Sequence, residues 1–437
     1  MSKRCRASTH HQGRSVKNAI QSISVIGLGY IGLPTAAVLA SRKIKVVGVD
    51  IDQHAVDTIN RGEIHIVEPE LDIVVHAAVK EGWLRATTRP EAADAFMIAV
   101  PTPFHGNYEP DLSYVKAACE SIAPVLKQGD IVILESTSPV GTTEQMVEWL
   151  ARARPDLVFP EKDGGDCDVY VAYCPERVLP GQVIRELIEN DRVIGGVNPL
   201  SAVRAQEVYR TFVSGQLLVT DARTAEMSKL TENAFRDVNI AFANELSLIC
   251  DKLDINVWEL INIANHHPRV NILQPGPGVG GHCIAVDPWF IVNKTPGQAK
   301  LIRQAREVND SKPLWVINKV RAAVDSLCEA GKPRRDIRIA CFGLAFKPNI
   351  DDLRESPSLD IAHKLTDAYP EQVLVVEPHI DAMPEKLELG GARLMDLDSA
   401  LARADVLVML VDHAQFKAMK PTLRETQRLV DTKGIWG

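Results

Sequence analysis

No run of about 18 apolar residues occurs in this 437-residue chain, so no segment reads as a membrane-crossing helix. No Cys-x-x-Cys occurs either, and the eight cysteines follow neither a disulfide framework nor zinc-ligand spacing. Most sit in apolar runs, the pattern of reduced thiols in a cytoplasmic protein, and no metal is expected. A surplus of positive charge is also missing. Lys and Arg number 49 against 57 Asp and Glu, a net charge of −8, which argues against a nucleic acid or an anionic membrane as partner. The first 21 residues run the other way: they are basic and free of acid, yet lack the apolar core of a secretory signal. They read as a disordered extension or an early start codon, with a transit peptide as the lesser reading.

What remains is a globular composition, 46% hydrophobic and 24% charged, on a chain long enough for two or three domains. From Ser22 onward, short runs rich in β-branched residues alternate with longer periodic segments. Ile23–Gly27, Lys45–Asp50, Ala95–Val100, Ile131–Ser136 and Val169–Tyr173 read as buried strands; Tyr30–Arg42 and Leu112–Leu126 read as helices. This alternation predicts a doubly wound parallel sheet. After Thr220 the rhythm changes. Ala222–Lys252 holds no proline or glycine and repeats its apolar residues every three or four positions, which predicts one long spine helix; a second helical stretch spans Ala299–Ala330. Past the polar bridge Gly331–Asp336 the α/β rhythm returns, so the two ends read as related folds. The expected parts are an extension (1–21), an α/β domain (22–220), a central helical domain (221–331) and a second α/β domain (332–437).

Gly27-x-Gly29-x-x-Gly32 follows the first strand and opens a helix, where glycines permit a tight turn and close approach of a pyrophosphate to a helix N-terminus. Tyr30 and Ile31 lie inside that turn. Asp50 ends the second strand, where a carboxylate accepts from a ribose diol and repels a 2′-phosphate; NAD is expected rather than NADP. Asp52 and His54 follow as solvated loop residues or ribose contacts. Thr102, Ser136 and Thr137 stand at strand ends on the sheet edge that holds ligands in such folds, although plain turn residues fit as well. Glu176, in a proline-bounded loop, reads either as a general base or as a surface ion pair. Lys229 and Asn233 are spaced i, i+4 and share one helix face, able together to polarise an oxygen; a solvated lysine is the competing reading.

The stretch Gln274–Trp289, QPGPGVGGHCIAVDPW, leads through four glycines into Cys283. A cysteine there, ahead of a helix, reads as a nucleophile whose thiolate the helix favours, or as a buried structural thiol. Asp287 shares its face if a turn forms before Pro288. The glycines at 276, 278, 280 and 281 read as clearance for a substrate carbon.

Taken together, the glycine fingerprint, STSPVGTT, CPERVLPG, KLTENAFRDVNIAFANE, GVGGHCIAVDP and FGLAFKPNIDDLRESP resemble the UDP-glucose/GDP-mannose dehydrogenase family, from about Ser22 to the C-terminus. The resemblance implies two Rossmann-like domains joined by the helical domain. It further implies a two-step, four-electron oxidation of a sugar primary alcohol to a carboxylate with two NAD+. Cys283 is then the nucleophile, because an aldehyde has no good hydride to give until a thiol adds to it. Lys229 and Asn233 stabilise oxyanions, Asp287 with Lys229 and Thr137 orients water, and Glu176 takes part in acid/base steps. Glu176, Arg177, Val178, Lys229, Asn233, Gly280, Phe346 and Lys347 are implied to contact the nucleotide sugar, Arg354 the cofactor diphosphate, and Arg269 a neighbouring subunit's substrate. The family dimerises through the central helix and holds the UDP half in the last domain.

The pattern of His282, Cys283 and the DP that follows is similar to that of members acting on UDP-N-acetylhexosamines, which serve bacterial surface polysaccharides including enterobacterial common antigen; His282 has no assigned role. Two departures stand out. Ala55 replaces the basic residue that often follows the ribose-binding acid, and Val286 a polar one. Two rivals are weaker: a one-step β-hydroxyacid dehydrogenase gives Cys283 no role, and a non-catalytic NAD sensor would not keep Lys229, Cys283 and Asp287.

Overall fold

The computed structural model describes residues 19–437 apart from 107, 180 and 282. The chain falls into two compact units, one made of residues up to Pro101 with 113–136 and 141–225, the other of 102–112, 137–140 and 226–437.

The first unit is built on an eight-stranded sheet. Its strands in chain order are Ser22–Ile26, Lys45–Val49, Leu84–Thr87, Ala95–Ile98, Ile131–Leu134, Tyr170–Tyr173, Arg192–Gly196 and Leu217–Asp221. They lie side by side as third, second, first, fourth and on to eighth. All neighbours run parallel except the sixth and seventh, which are antiparallel. The central runs AFMI and IVIL are buried at every residue, as strands covered on both faces must be. Three strands have no counterpart in the sequence reading: Leu84–Thr87, Arg192–Gly196 and Leu217–Asp221. Each is short and mixes charge or glycine into its apolar residues, so it carries neither a continuous run nor clean alternation.

In the second unit five strands, Ile339–Phe342, Val373–Val376, Arg393–Leu394, Val406–Met409 and Arg428–Asp431, repeat the same plan: third, second, first, fourth, fifth, all parallel. The spine helix spans Ala222–Leu253, and a second long helix, Lys300–Glu329, carries Pro313 inside it. Both lie within two residues of expectation. The expected boundary at 331 falls inside this unit, which joins the helices to the last sheet.

These two helices are pinned by polar groups, which their apolar periodicity does not reveal. Arg306, 2% exposed, donates to Asp237 at 2.7 Å and pairs with Asp310. Asn309 donates to the same Asp237 oxygen at 2.8 Å, and Asn244 donates to Asn309 at 2.8 Å. Asn244 then accepts the Gly276 N–H at 2.9 Å, tying the start of the glycine-rich loop to the spine.

Removing one member of a buried ion pair strands its partner's charge. Arg306→Met is therefore expected to cost about 3–5 kcal/mol of stability in urea unfolding, and adding Asp237→Leu to recover most of it. A single-variant loss below about 1 kcal/mol would count against the pair as the pin.

Candidate functional site

In the first unit, Gly27 takes φ +90 and donates its N–H to Val49 at 2.8 Å. A Cβ on Gly27 would lie 2.6 Å from the Ala99 carbonyl oxygen, and one on Gly32 only 1.7 Å from that of Gly27. Those two glycines let strand, turn and helix close on each other. Gly29 differs, since a Cβ there meets nothing within 4 Å; its face is open for a ligand. No side chain caps the helix Gly32–Ser41 at Ile31, and its first turn holds no acid. Among the described residues, no cap side chain and no acid of the helix's own first turn meets its dipole and end N–H groups. Asp50 accepts from Leu28 N–H at 2.8 Å and Asp52 N–H at 3.0 Å, which orients its carboxylate beside the turn. This construction fits NAD: Gly29, Tyr30 and Ile31 would hold its pyrophosphate and Asp50 would accept from its ribose. Asp52 is a helix cap, accepting from His54 N–H, and Ala55 is buried.

Ser136 turns inward and donates to the Val100 carbonyl at 2.7 Å. Glu176 is neither exposed nor in a surface pair. It is 7% exposed, accepts from Arg192 at 2.9 Å and takes the Arg177 N–H on its other oxygen; Arg192 itself is fully buried. Arg177 donates to the Asp191 carbonyl at 3.2 Å, and Val178 packs on the sheet core. Beneath lies a second carboxyl missed from sequence, Glu135. Burial first, then the charge of Glu176, push it up to about 7, against Arg192 and the Tyr209 hydroxyl that donates at 2.8 Å. Charged residues inside apolar strand runs, Glu135 in IVILES and Arg192 in RVIGG, were the signal available.

The second unit gathers Cys283, Asp287, Lys229 and Asn233. Cys283 lies in a turn, with the helix beginning at Asp287; its carbonyl accepts the N–H groups of Val286 at 3.1 Å and Asp287 at 2.9 Å. That turn puts Cys283 and Asp287 on one side, as expected, but the thiol precedes the helix by a full turn. Asp287 is 2% exposed, and Asn233 donates to its carboxyl. Burial pushes that carboxyl up to about 7, while Asn233 and the charge of half-buried Lys229 pull down. The expectation of a favoured thiolate is corrected. Cys283 is reachable from solvent, yet packing around the sulfur and the Asp287 carboxyl raise its pKa above the ordinary thiol value, with Lys229 and Arg354 opposing. A thiol of this kind needs a base at hand, and Asp287 is placed to be one.

The glycines also change meaning. A Cβ on Gly278 would come within 2.9 Å of Pro357, on Gly280 within 2.3 Å of the Glu355 carbonyl oxygen, and on Gly281 within 2.9 Å of the Phe346 ring. They clear the protein's own 346–357 loop. Phe346 thereby touches the run that leads into Cys283. Lys347 is exposed, and Arg354 is exposed with its guanidinium on Asp352. Arg269 is exposed and forms no ion pair among the described residues. Thr102 donates to the Thr137 carbonyl at 2.5 Å. An aromatic stack of Tyr108 on Trp289, centroids 3.9 Å apart, was not foreseen. His282 lies outside the described residues.

Three consecutive family models match: the NAD binding domain of the UDP-glucose/GDP-mannose dehydrogenase family over residues 21–213, its central domain over 223–311 and its UDP binding domain over 340–437. The chain is 66% identical over 416 residues to UDP-N-acetyl-D-mannosamine dehydrogenase of Escherichia coli K12, covering 95% of this chain and 99% of that one. It is 61% identical to an NDP-N-acetyl-D-galactosaminuronic acid dehydrogenase of Ralstonia nicotianae, covering 97% and 98%. Among solved structures, the UDP-N-acetylmannosamine dehydrogenase of Pyrococcus horikoshii superposes with a TM-score of 0.84 at 38% identity, covering 95% and 96%.

The charges around the sulfur predict opposite effects of two substitutions on its alkylation by iodoacetamide at pH 8, followed by mass spectrometry. Asp287→Asn removes a negative neighbour, lowers the thiol pKa and speeds the reaction several-fold; Lys229→Met removes a positive one and slows it. Equal rates in both variants would contradict this arrangement.

Proposed function

Because the chain belongs to the UDP-glucose/GDP-mannose dehydrogenase family of NAD-dependent nucleotide-sugar dehydrogenases, we propose that it oxidises UDP-N-acetyl-D-mannosamine to UDP-N-acetyl-D-mannosaminuronate. The observation that carries this reading is Cys283 beside a buried Asp287 held by Asn233 and Lys229. Each of two NAD+ molecules, bound in succession, would accept one hydride, one at each oxidation. The residues of the chain do the rest. After the C6 alcohol has become an aldehyde, the Cys283 sulfur forms a C–S bond to it, its proton passing to the Asp287 carboxylate. Lys229 and Asn233 stabilise the oxygen on which negative charge develops. Loss of the second hydride leaves a thioester. Water oriented by Asp287, Lys229 and Thr137 then breaks the C–S bond, releasing the carboxylate and restoring the thiol. Glu176 joins the acid/base steps with Arg192 as its fixed counter-ion.

In this reading residues 22–220 hold NAD, 221–331 supply the catalytic thiol, and 332–437, with Phe346 and Lys347, hold the UDP half. Arg354 meets the cofactor diphosphate. A homodimer through the spine helix is supported by Phe235, Phe242 and Ile249, exposed at seven-residue intervals on that helix. Arg269, exposed and without an ion pair among the described residues, is then available to a neighbouring subunit's substrate. We assign the enzyme to the cytoplasm and its product to bacterial surface polysaccharide synthesis, including enterobacterial common antigen; the enterobacterial relatives support this.

Incubated with NAD+ and a panel of UDP-N-acetylmannosamine, UDP-N-acetylglucosamine, UDP-N-acetylgalactosamine and UDP-glucose, the protein should form two NADH per sugar with the first. Turnover of UDP-N-acetylgalactosamine instead would favour the activity in the name of the Ralstonia relative. Cys283→Ser should bind NAD+ normally and form no uronate at the wild-type rate. A carboxyl that titrates at about 7 and acts as a base works only when ionised, so kcat/KM should fall as pH drops below about 7. Asp287→Asn should lower the rate about 10²–10⁴-fold and abolish that acid limb; an unchanged limb would assign it to another group.

A further inference from the structure

The two units contain the same turn, built twice. At the end of Ile339–Phe342, Gly343 takes φ +91 and donates to Val376 at 2.8 Å, as Gly27 does to Val49. Leu344 N–H donates to Glu377 at 2.6 Å and His379 N–H to the other Glu377 oxygen at 3.2 Å. These match, position for position, the bonds of Leu28 and Asp52 to Asp50. The difference lies in what else meets the acid. Asp50 is half-buried. Glu377 is 4% exposed, accepts a further N–H from Ala345 at 3.1 Å and lies 3.1 Å from Nε2 of His413.

His413 is fully buried, between His379 and Phe416. Its Nδ1 accepts the Asn349 N–H at 2.9 Å, so Nε2 carries the proton and donates to Glu377. Asn349 stands at φ +63, and its side-chain oxygen accepts from Ala414 N–H at 2.8 Å. One Glu–His pair therefore grips both ends of the loop Leu344–Asn349: Glu377 holds Leu344 and Ala345, and His413 holds Asn349. Between the grips stand Phe346, whose ring limits Gly281, and exposed Lys347.

We propose that Glu377 and His413 are positioning residues that set Phe346 and Lys347 for the uridine diphosphate half of the substrate, the acid having become an internal strut where its counterpart Asp50 faces a ribose. With its oxygens taken up by four protein donors, Glu377 is closed to a nucleoside diol. Those donors outweigh the cost of burying a charge, and the carboxyl is held below its ordinary value. The inference rests on the reading that this loop receives UDP.

The test measures UDP affinity by titration calorimetry on the full-length protein. His413→Phe keeps a planar ring and removes both nitrogens; it should weaken UDP about tenfold or more and leave NAD+ affinity unchanged. For the nucleotide sugar, KM should rise while kcat stays within about twofold, the mark of lost uniform binding. His413→Asn, which restores an acceptor for Asn349, should recover part of the loss. If the Phe variant does not fold, His413→Gln, which keeps a donor towards Glu377 and gives up Asn349, should weaken UDP about threefold or more. Lys347→Ala separates the two readings. If it leaves UDP binding untouched, UDP does not lie on this loop and the proposal falls with that reading. If it weakens UDP while folded His413 variants bind within about twofold of wild type, the positioning role alone is overturned.

Discussion

Burial of the Asp287 carboxyl is the constraint on which the rest of the second unit turns. In water that group would be an unremarkable anion. At 2% exposure it must be partnered, and Asn233 and Lys229 on the spine helix provide a hydrogen bond and a counter-charge. Its negative charge in turn contributes to raising the thiol of Cys283, so base and nucleophile are adjusted by one act of burial. The spine can present Lys229 and Asn233 only if it is itself held in place. Arg306, Asp237, Asn309 and Asn244 do that, and Asn244 also reaches the loop that delivers the cysteine.

The glycine-rich loop extends this logic into the last sheet. Gly280 and Gly281 lack side chains because Glu355, Pro357 and Phe346 occupy that space. Phe346, proposed to meet the nucleotide half, and the run carrying the thiol are therefore in contact within one unit. Glycine here reports close packing of protein on protein. At Gly29 it reports an open face. The same residue type answers two different requirements, separable only when its neighbours are known.

The duplicated turn makes the same point with charge. Asp50 and Glu377 each end a second strand and receive the same two backbone donors. One remains half-buried beside a dinucleotide turn. The other is sealed by His413 and works on the backbone. What separates them is a residue from a distant strand end, 36 positions further along the chain.

Much was legible in one dimension. The strand–helix rhythm, the spine within two residues of its ends, the NAD turn with Asp50, and the quartet Cys283, Asp287, Lys229 and Asn233 all lie in local patterns or in motifs whose chemistry demands those residue types. Three short strands of the first sheet and two of the second, Arg393–Leu394 and Arg428–Asp431, the buried Glu135–Tyr209 pair, the Arg192 partner of Glu176 and the Glu377–His413 strut were not. Each is set by contacts between residues far apart in sequence. The sign of the Cys283 shift was read in reverse for a related reason: position ahead of a helix is local, whereas desolvation and a neighbouring carboxyl are properties of the packed site. Sequence by itself determined which groups could do chemistry. Tertiary structure alone decided their protonation and their partners, because both depend on how much water the fold excludes and on what it sets in water's place.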